Sequence, residues 1–148
     1  TTEIYTLSLH DALPISVDVL LRDFTDEGMS RRHETIRAIA AVVEAQFPSG
    51  KVAVDIRKQY LNMKKKLDAS PKVLELLNEA ARRAGAEPYS KPIRGGTDGA
   101  RLTEMGVPTP NVFAGMHNFH GRYEWASVSE MVLAVDTAVE LVRLWGAE

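Results

Sequence analysis

Residues 51–60, KVAVDIRKQY, alternate apolar side chains with small or charged ones. Val52, Val54 and Ile56 recur at every second position, which is the spacing at which side chains share one face of a β-strand. Such alternation is typical of a strand that is buried on one face and exposed to solvent on the other. We therefore predict a half-buried strand here, and the neighbouring segments decide the fold to which it belongs.

Strand and helix patterns follow one another around this strand. Residues 17–24, VDVLLRDF, alternate in the same way, whereas residues 29–47 carry apolar side chains at every third or fourth position, as an amphipathic helix does. A second helix is predicted to begin at Pro71 and to end at Gly85. With an extended segment at residues 88–93, the order is β-α-β-α-β, which predicts an α/β fold.

The pattern changes after this extended segment. A short helix is predicted over residues 100–105, followed by a short apolar strand at residues 112–114. Ser127 and Glu130 form the S-x-x-E pattern of a capping box at the start of a final helix over residues 128–145. This helix is predicted to bury one apolar stripe, formed by Met131, Val135, Ala138, Val142 and Trp145.

The first residues follow neither the pattern of a folded domain nor that of a signal peptide. Residues 1–15, TTEIYTLSLHDALPI, resemble the translation of a common short-read sequencing adapter, with a match at all fifteen positions. We therefore treat residues 1–16 as non-native and exclude them from the fold, as an expression tag would be. The chain is then expected to be part of a longer protein, with domains at residues 17–92 and 93–148.

The composition narrows the class of protein. A hydrophobic fraction of 45% and a charged fraction of 26% are typical of a globular chain. The net charge of −2 argues against nucleic-acid or membrane-surface binding, and no apolar run approaches the roughly 20 residues that span a bilayer. The sequence contains no cysteine, which is in keeping with the cytoplasm.

Residues 94–99, RGGTDG, form a glycine-rich turn that is a candidate ligand-binding segment. Gly95 and Gly96 allow several backbone N–H groups to approach an anion, and the planar guanidinium of Arg94 suits a carboxylate. Asp98 and Thr97 are both candidate caps for the helix that follows. The alternative is a tight turn with an ordinary helix cap, and the local sequence leaves both interpretations open.

Two histidines, His117 and His120, lie three residues apart in the glycine-flanked stretch GMHNFHGRYE. Neutral imidazole is a common zinc ligand, but a catalytic zinc ion needs about three protein ligands. The two histidines are therefore either metal ligands or a polar loop residue and a packed residue. Similarly, Asn62 at the end of the predicted strand is either a turn residue or an amide that faces a ligand.

Taken together, residues 92–131, PIRGGTDGARLTEMGVPTPNVFAGMHNFHGRYEWASVSEM, resemble the C-terminal region of the peptidase T family of tripeptide aminopeptidases. The elements RGGTDG, MG-P-PN-F-G and aromatic-His-Gly occur in the family's order and spacing. The shorter elements RDF, YLNM and EP extend the resemblance back to about Val17.

The resemblance implies a two-domain zinc exopeptidase. In such enzymes a catalytic α/β domain holds two bridged zinc ions, and a smaller α/β lid domain mediates homodimerisation. Residues 17–92 would be the latter part of the lid, and residues 93–148 the C-terminal part of the catalytic domain. The expected substrate is a short peptide, and the expected location is the cytoplasm.

The resemblance also assigns individual residues. His120 corresponds to the last zinc ligand of the family, whereas His117 lies where relatives often have tyrosine. The other zinc ligands and the general-base glutamate are expected upstream, so we expect no catalytic residue in this chain and no activity from it alone. The residues expected to contact the peptide are Arg94, Gly95, Gly96, Thr97 and Asn62.

Two alternative functions remain. One is a different exopeptidase or deacylase of the same clan, such as a dipeptidase, a carboxypeptidase or an N-acyl amino-acid deacylase. The other is a non-catalytic dimerisation module, because the lid sheet has an edge through which two copies can pair.

Overall fold

The computed structural model describes residues 2–9, 15–93 and 95–147. Helices and strands are both present, which confirms the predicted α/β class. None of the helices in this described part is long and apolar enough to cross a membrane. The elements in chain order are β1 (Thr2–Leu9), β2 (Ile15–Arg22), α1 (Asp26–Gln46), β3 (Val52–Tyr60), α2 (Lys64–Asp68), α3 (Pro71–Arg83), α4 (Asp98–Glu104), β4 (Met116–His117), β5 (Trp125–Ala126) and α5 (Val128–Gly146).

The chain forms two compact units. The first unit consists of Thr1–Asn62 and Pro92–Arg101, and the second of Met63–Lys91 and Leu102–Glu148. These units differ from the domains expected at residues 17–92 and 93–148, so that domain organisation stays a prediction.

In the first unit, an antiparallel sheet of strand order β2-β1-β3 packs against α1. We expected residues 1–16 to take no part in the fold, but Thr2–Leu9 form the central strand. The physical reason is that strand pairing uses backbone groups, so an extended segment of almost any sequence can satisfy the N–H and C=O groups of β2 and β3. The adapter origin of the segment stays a prediction.

The half-buried strand predicted at residues 51–60 is confirmed. β3 begins at Val52 and ends at Tyr60, and its first six residues alternate between partly buried and exposed positions. β2 and α1 are present as predicted but begin two and three residues earlier than residues 17 and 29, respectively.

The start of α1 is built around the carboxylate of Asp23, which follows the last residue of β2. Thr25 caps the helix through its hydroxyl, which accepts from the N–H of Gly28 at 3.0 Å. Asp23 in turn accepts from the N–H and hydroxyl of Thr25 and from Nε of Arg32, at 3.0 to 3.1 Å. The hydrogen bond from the Thr25 backbone, and then that from Arg32, lower the pKa of Asp23 from 3.8 to about 2.

We predict that Asp23 makes stability depend on pH in the acid range. Because its pKa is lower in the folded state than in the unfolded state, the stabilisation is fully present above the unfolded value and is lost as pH falls from 3.8 toward about 2. Asp23→Asn should therefore lower the melting temperature at neutral pH and converge with the parent near pH 2. Arg32→Met should show a smaller part of this effect. The prediction would be contradicted if the difference in melting temperature between Asp23→Asn and the parent stayed constant down to that pH.

The second unit is centred on α3 packed against α5. Ala80 and Ala81 of α3 are fully or almost fully buried, as is Thr137 of α5. As predicted, α3 has proline in its first turn and ends before Gly85, whose φ of +93° reverses the chain. The small side chains of α3 allow the two helices to approach closely.

The predictions of strands at residues 88–93 and 112–114 are wrong. Residues 88–93 form no strand, because Pro88 and Pro92 lack the N–H that a sheet requires. Residues 112–114 are also irregular, and Val112 and Phe113 remain 45% and 42% exposed. Within the described residues no strand pairs with this apolar triplet, so its backbone forms no ladder hydrogen bonds.

The final helix is confirmed, but the prediction of its buried face is wrong. Its length matches closely, since α5 covers Val128–Gly146. All five residues predicted to be buried are exposed, and the four large ones range from 45% for Trp145 to 72% for Val142. The least exposed side chains lie on a neighbouring side of the helix, about 110° around its axis from the predicted stripe, at Leu133, Ala134, Thr137, Leu141 and Leu144. α5 is apolar on both sides, so its periodicity could not indicate which side is buried.

Candidate functional site

A short hairpin in the second unit carries both histidines of the predicted metal-binding stretch. β4 pairs antiparallel with β5, which places His117 opposite Trp125. The connecting loop is closed by the carbonyl of Asn118, which accepts from the N–H of Gly121 at 2.9 Å, and by the Asn118 amide, which donates to the carbonyl of Tyr123 at 3.2 Å. The hairpin therefore presents residues 119–122 at its tip.

His120 lies at this tip with an exposed side chain and a φ of +63°. A left-handed backbone costs a residue with a Cβ roughly 1–2 kcal/mol, and glycine would avoid this cost. Strained conformations of this kind are concentrated at functional sites, where the surrounding structure maintains them. Asn118 in the same loop is also left-handed, with a φ of +55°, and a function for the His120 imidazole stays a prediction.

The described residues contain no group of three His, Cys, Asp or Glu side chains that could hold a metal ion. A catalytic zinc ion needs about three protein ligands. Zinc binding by His120 therefore stays a prediction.

His117 makes contacts that differ from those of His120. Its Nε2 lies 2.7 Å from Oε2 of Glu130, and its ring stacks on Trp125 at 4.1 Å with an interplanar angle of 15°. His117 therefore holds the hairpin against the first turn of α5. Of the two interpretations left open by the sequence, these contacts favour a packed residue for His117.

The capping box is only half formed. The Ser127 hydroxyl accepts from the N–H of Glu130 at 3.4 Å, as predicted. The Glu130 carboxylate is instead paired with His117, and the N–H of Ser127 donates to the carbonyl of Gly115 at 2.8 Å. Glu130 thus joins the helix to the hairpin, a function that the S-x-x-E pattern alone did not indicate.

The glycine-rich turn lies in the first unit. Arg94 falls outside the described residues, so its predicted substrate contact stays a prediction. A Cβ at Gly95 would meet nothing within 4 Å, whereas one at Gly96 would lie 2.5 Å from Cε1 of Tyr60. A side chain at position 96 would therefore displace the Tyr60 ring.

The other two residues of this candidate set have structural partners. The Thr97 hydroxyl accepts from the N–H of Ala100 at 3.3 Å and caps α4, one of the two interpretations of this segment. The Asn62 amide donates to the carbonyl of Phe24 at 3.0 Å and links the segments that follow β3 and β2. A substrate contact by either residue stays a prediction.

The structure places part of the predicted peptide-binding set together. Gly96 contacts Tyr60, the last residue of β3, and Asn62 follows two residues later. Gly95 and Thr97 flank Gly96 in the same unit, whereas His120 belongs to the second unit. Residues from well separated parts of the sequence thus meet at the end of β3.

Comparison with known proteins identifies similar sequences. No family model matches the chain. It is 42% identical over 130 residues to peptidase T of Clostridium perfringens, which covers 88% of this chain and 32% of that protein. It is 42% identical over 126 residues to peptidase T of Geobacillus thermodenitrificans, covering 85% of the chain and 31% of that protein. Peptidase T of Bacillus licheniformis is 38% identical over 135 residues, which covers 91% of the chain and 33% of that protein. The chain therefore spans about one third of the length of these curated relatives, and over most of its own length it is homologous to peptidase T.

Proposed function

We propose that the chain is part of a zinc-dependent aminopeptidase that releases the N-terminal residue from tripeptides. The observation that carries the proposal is the identity of 38–42% to proteins named peptidase T over 85–91% of the chain. The strained, exposed conformation of His120 gives independent support, because it occurs at the residue for which the resemblance implies zinc binding.

In this proposal His120 supplies one zinc ligand. Its hairpin is held at its base by the His117–Glu130 contact and by the bond from Ser127 to Gly115. A ligand on a supported hairpin is better oriented than one on a free loop, and such support raises metal affinity. The remaining ligands and the general base would come from outside this chain, and we assign a catalytic function to none of its residues.

Peptide binding is proposed for the turn at Arg94, Gly95, Gly96 and Thr97, together with Asn62. The backbone of Gly95 is accessible, since an added Cβ would meet no atom within 4 Å. Backbone N–H groups in a glycine turn and a guanidinium group both suit a peptide carbonyl or carboxylate. Asn62 lies close to this turn because both border the end of β3.

The proposal also covers the oligomeric state and the cellular location of the enzyme. We place the enzyme in the cytoplasm as a homodimer that forms through the first unit. Support for pairing comes from the strand order β2-β1-β3, in which β2 and β3 are the outer strands and can pair with a second copy. Light scattering on the protein described next measures the oligomeric state.

The experiment replaces the aligned third of Clostridium perfringens peptidase T with the corresponding residues of this chain. We expect this chimera to release the N-terminal residue from a tripeptide, to lose the activity on chelation and to regain it with zinc. The unmodified relative serves as the control. A folded chimera that instead cleaves dipeptides, C-terminal residues or N-acyl amino acids would favour the alternative enzymes of the same clan. A folded chimera without any hydrolase activity would reject the proposal.

A further inference from the structure

The ring of Tyr60 lies directly against the glycine-rich turn at residues 94–99. A Cβ at Gly96 would lie 2.5 Å from Cε1, 2.6 Å from Cζ and 2.8 Å from the hydroxyl oxygen of Tyr60. The backbone of Gly96 is not left-handed, so a side chain there would disturb the ring and not the conformation of the main chain. The absence of a side chain at position 96 thus allows the ring to rest on the turn.

The two glycines of the turn differ in what surrounds them. A Cβ at Gly95 would meet nothing within 4 Å, whereas one at Gly96 would enter the Tyr60 ring. The turn is therefore covered by an aromatic ring at one glycine and open at the other. A backbone that is supported on one side keeps its N–H groups in a fixed direction, and such pre-organisation lowers the cost of binding a ligand.

The position of Tyr60 depends on an irregularity at the end of β3. Lys58 and Tyr60 pair with consecutive residues of β1, which leaves Gln59 between them as the extra residue of a β-bulge. The alternation of burial along β3 ends at the same place, since Lys58 is exposed and both Gln59 and Tyr60 are partly buried. A bulge changes the direction of the side chains that follow it, and bulges are concentrated next to functional sites.

We propose that Tyr60 is a positioning residue for the peptide substrate, and that its ring holds the main chain at Gly96 so that the turn faces the peptide. This inference rests on the proposed function, which assigns peptide binding to this turn. The contact is made by the ring, and phenylalanine would supply the same contact. Loss of the ring would leave the turn free to move, and the peptide would then bind less tightly.

The first test is the steady-state kinetics of the chimera with trialanine as substrate. Tyr60→Ala should raise KM at least about tenfold and leave kcat within about twofold, because it removes binding that the substrate and the transition state share. Tyr60→Phe should restore both constants, since it retains the ring. Gly96→Ala should also raise KM, but not in the Tyr60→Ala background, where no ring is left to displace.

The second test uses the full chain and needs no hydrolysis. Trialanine is titrated into the isotope-labelled protein, and the backbone amide signals of Gly95 and Gly96 are followed by NMR. We expect these signals to shift in the parent and in Tyr60→Phe, and the shifts to be lost in Tyr60→Ala. The matched control is Tyr89→Ala, which removes a tyrosine that is 78% exposed and should leave the shifts unchanged.

The two tests separate this inference from the proposed function. An inactive chimera together with the expected NMR shifts would reject the hydrolase and support the positioning of the turn by Tyr60. The inference is overturned if trialanine shifts neither glycine signal in the parent chain, or if Tyr60→Ala lowers the melting temperature without changing KM or the shifts. It is also overturned if Tyr60→Phe loses as much binding as Tyr60→Ala, since the hydroxyl and not the ring would then be required.

Discussion

His120→Ala in the peptidase T chimera is expected to remove tripeptide hydrolysis, with kcat/KM reduced by at least about 100-fold. Loss of a residue that merely supports a metal ligand already costs about 10- to 100-fold in affinity or activity, and loss of a ligand should cost more. The bound zinc, measured by elemental analysis, should fall together with the activity. His117→Ala is the control within the same hairpin and should retain zinc, because His117 contacts Glu130 and Trp125.

A second variant separates metal binding from folding. At a φ of +63°, glycine is favoured over a residue with a Cβ, so His120→Gly should preserve or raise stability while it removes zinc and activity. A purely structural histidine would give the opposite result, with lower stability and retained zinc. Full zinc content and full activity in both His120 variants would contradict the assignment of His120.

The regular elements could be predicted because their patterns are local. Val52, Val54 and Ile56 lie on one face of β3 as their alternation requires, and Gly85 ends α3 as its conformational freedom allows. The sequence of Thr2–Leu9 predicts a segment outside the fold, yet the segment forms the central strand. It pairs through its backbone, and backbone pairing does not depend on the side-chain pattern.

The burial of α5 could not be predicted for a different reason. Periodicity reveals that a helix has an apolar face, but Val135 and Leu141 belong to two apolar faces of the same helix. Only the position of α3 determines which of these faces is covered. Val112 and Phe113 show the same difficulty, because a local apolar pattern does not reveal whether another strand is available to pair with it.

The candidate site was predictable at His120 only through the family resemblance. Its left-handed conformation has no signature in the residues around it. The partners of His117 lie eight and thirteen positions later, at Trp125 and Glu130, and are brought together by a hairpin that no short pattern specifies. Because Glu130 fits the pattern of a capping box, the sequence predicts a contact with the N-cap for its carboxylate and not the contact with His117 that the structure shows.

Gly115→Ala is expected to destabilise the second unit by roughly 2–4 kcal/mol, from a left-handed backbone and from a clash in a packed region. Gly115 has a φ of +68°, and an added Cβ would lie 2.7 Å from the backbone nitrogen of Met131. The main chain of a helix cannot yield as a flexible side chain does. The substitution should therefore push the hairpin away from α5 and break the 2.8 Å bond between the N–H of Ser127 and the carbonyl of Gly115.

Gly85→Ala provides the matched control for this prediction. Gly85 also has a left-handed backbone, with a φ of +93°, but an added Cβ there would meet nothing within 4 Å. Its substitution carries the conformational cost alone, about 1–2 kcal/mol. Urea denaturation followed by the fluorescence of Trp125 and Trp145 measures both variants, and the difference between them isolates the clash. Equal destabilisation by the two substitutions would show that the hairpin does not rest on the backbone of α5, and the support proposed for His120 would be lost with it.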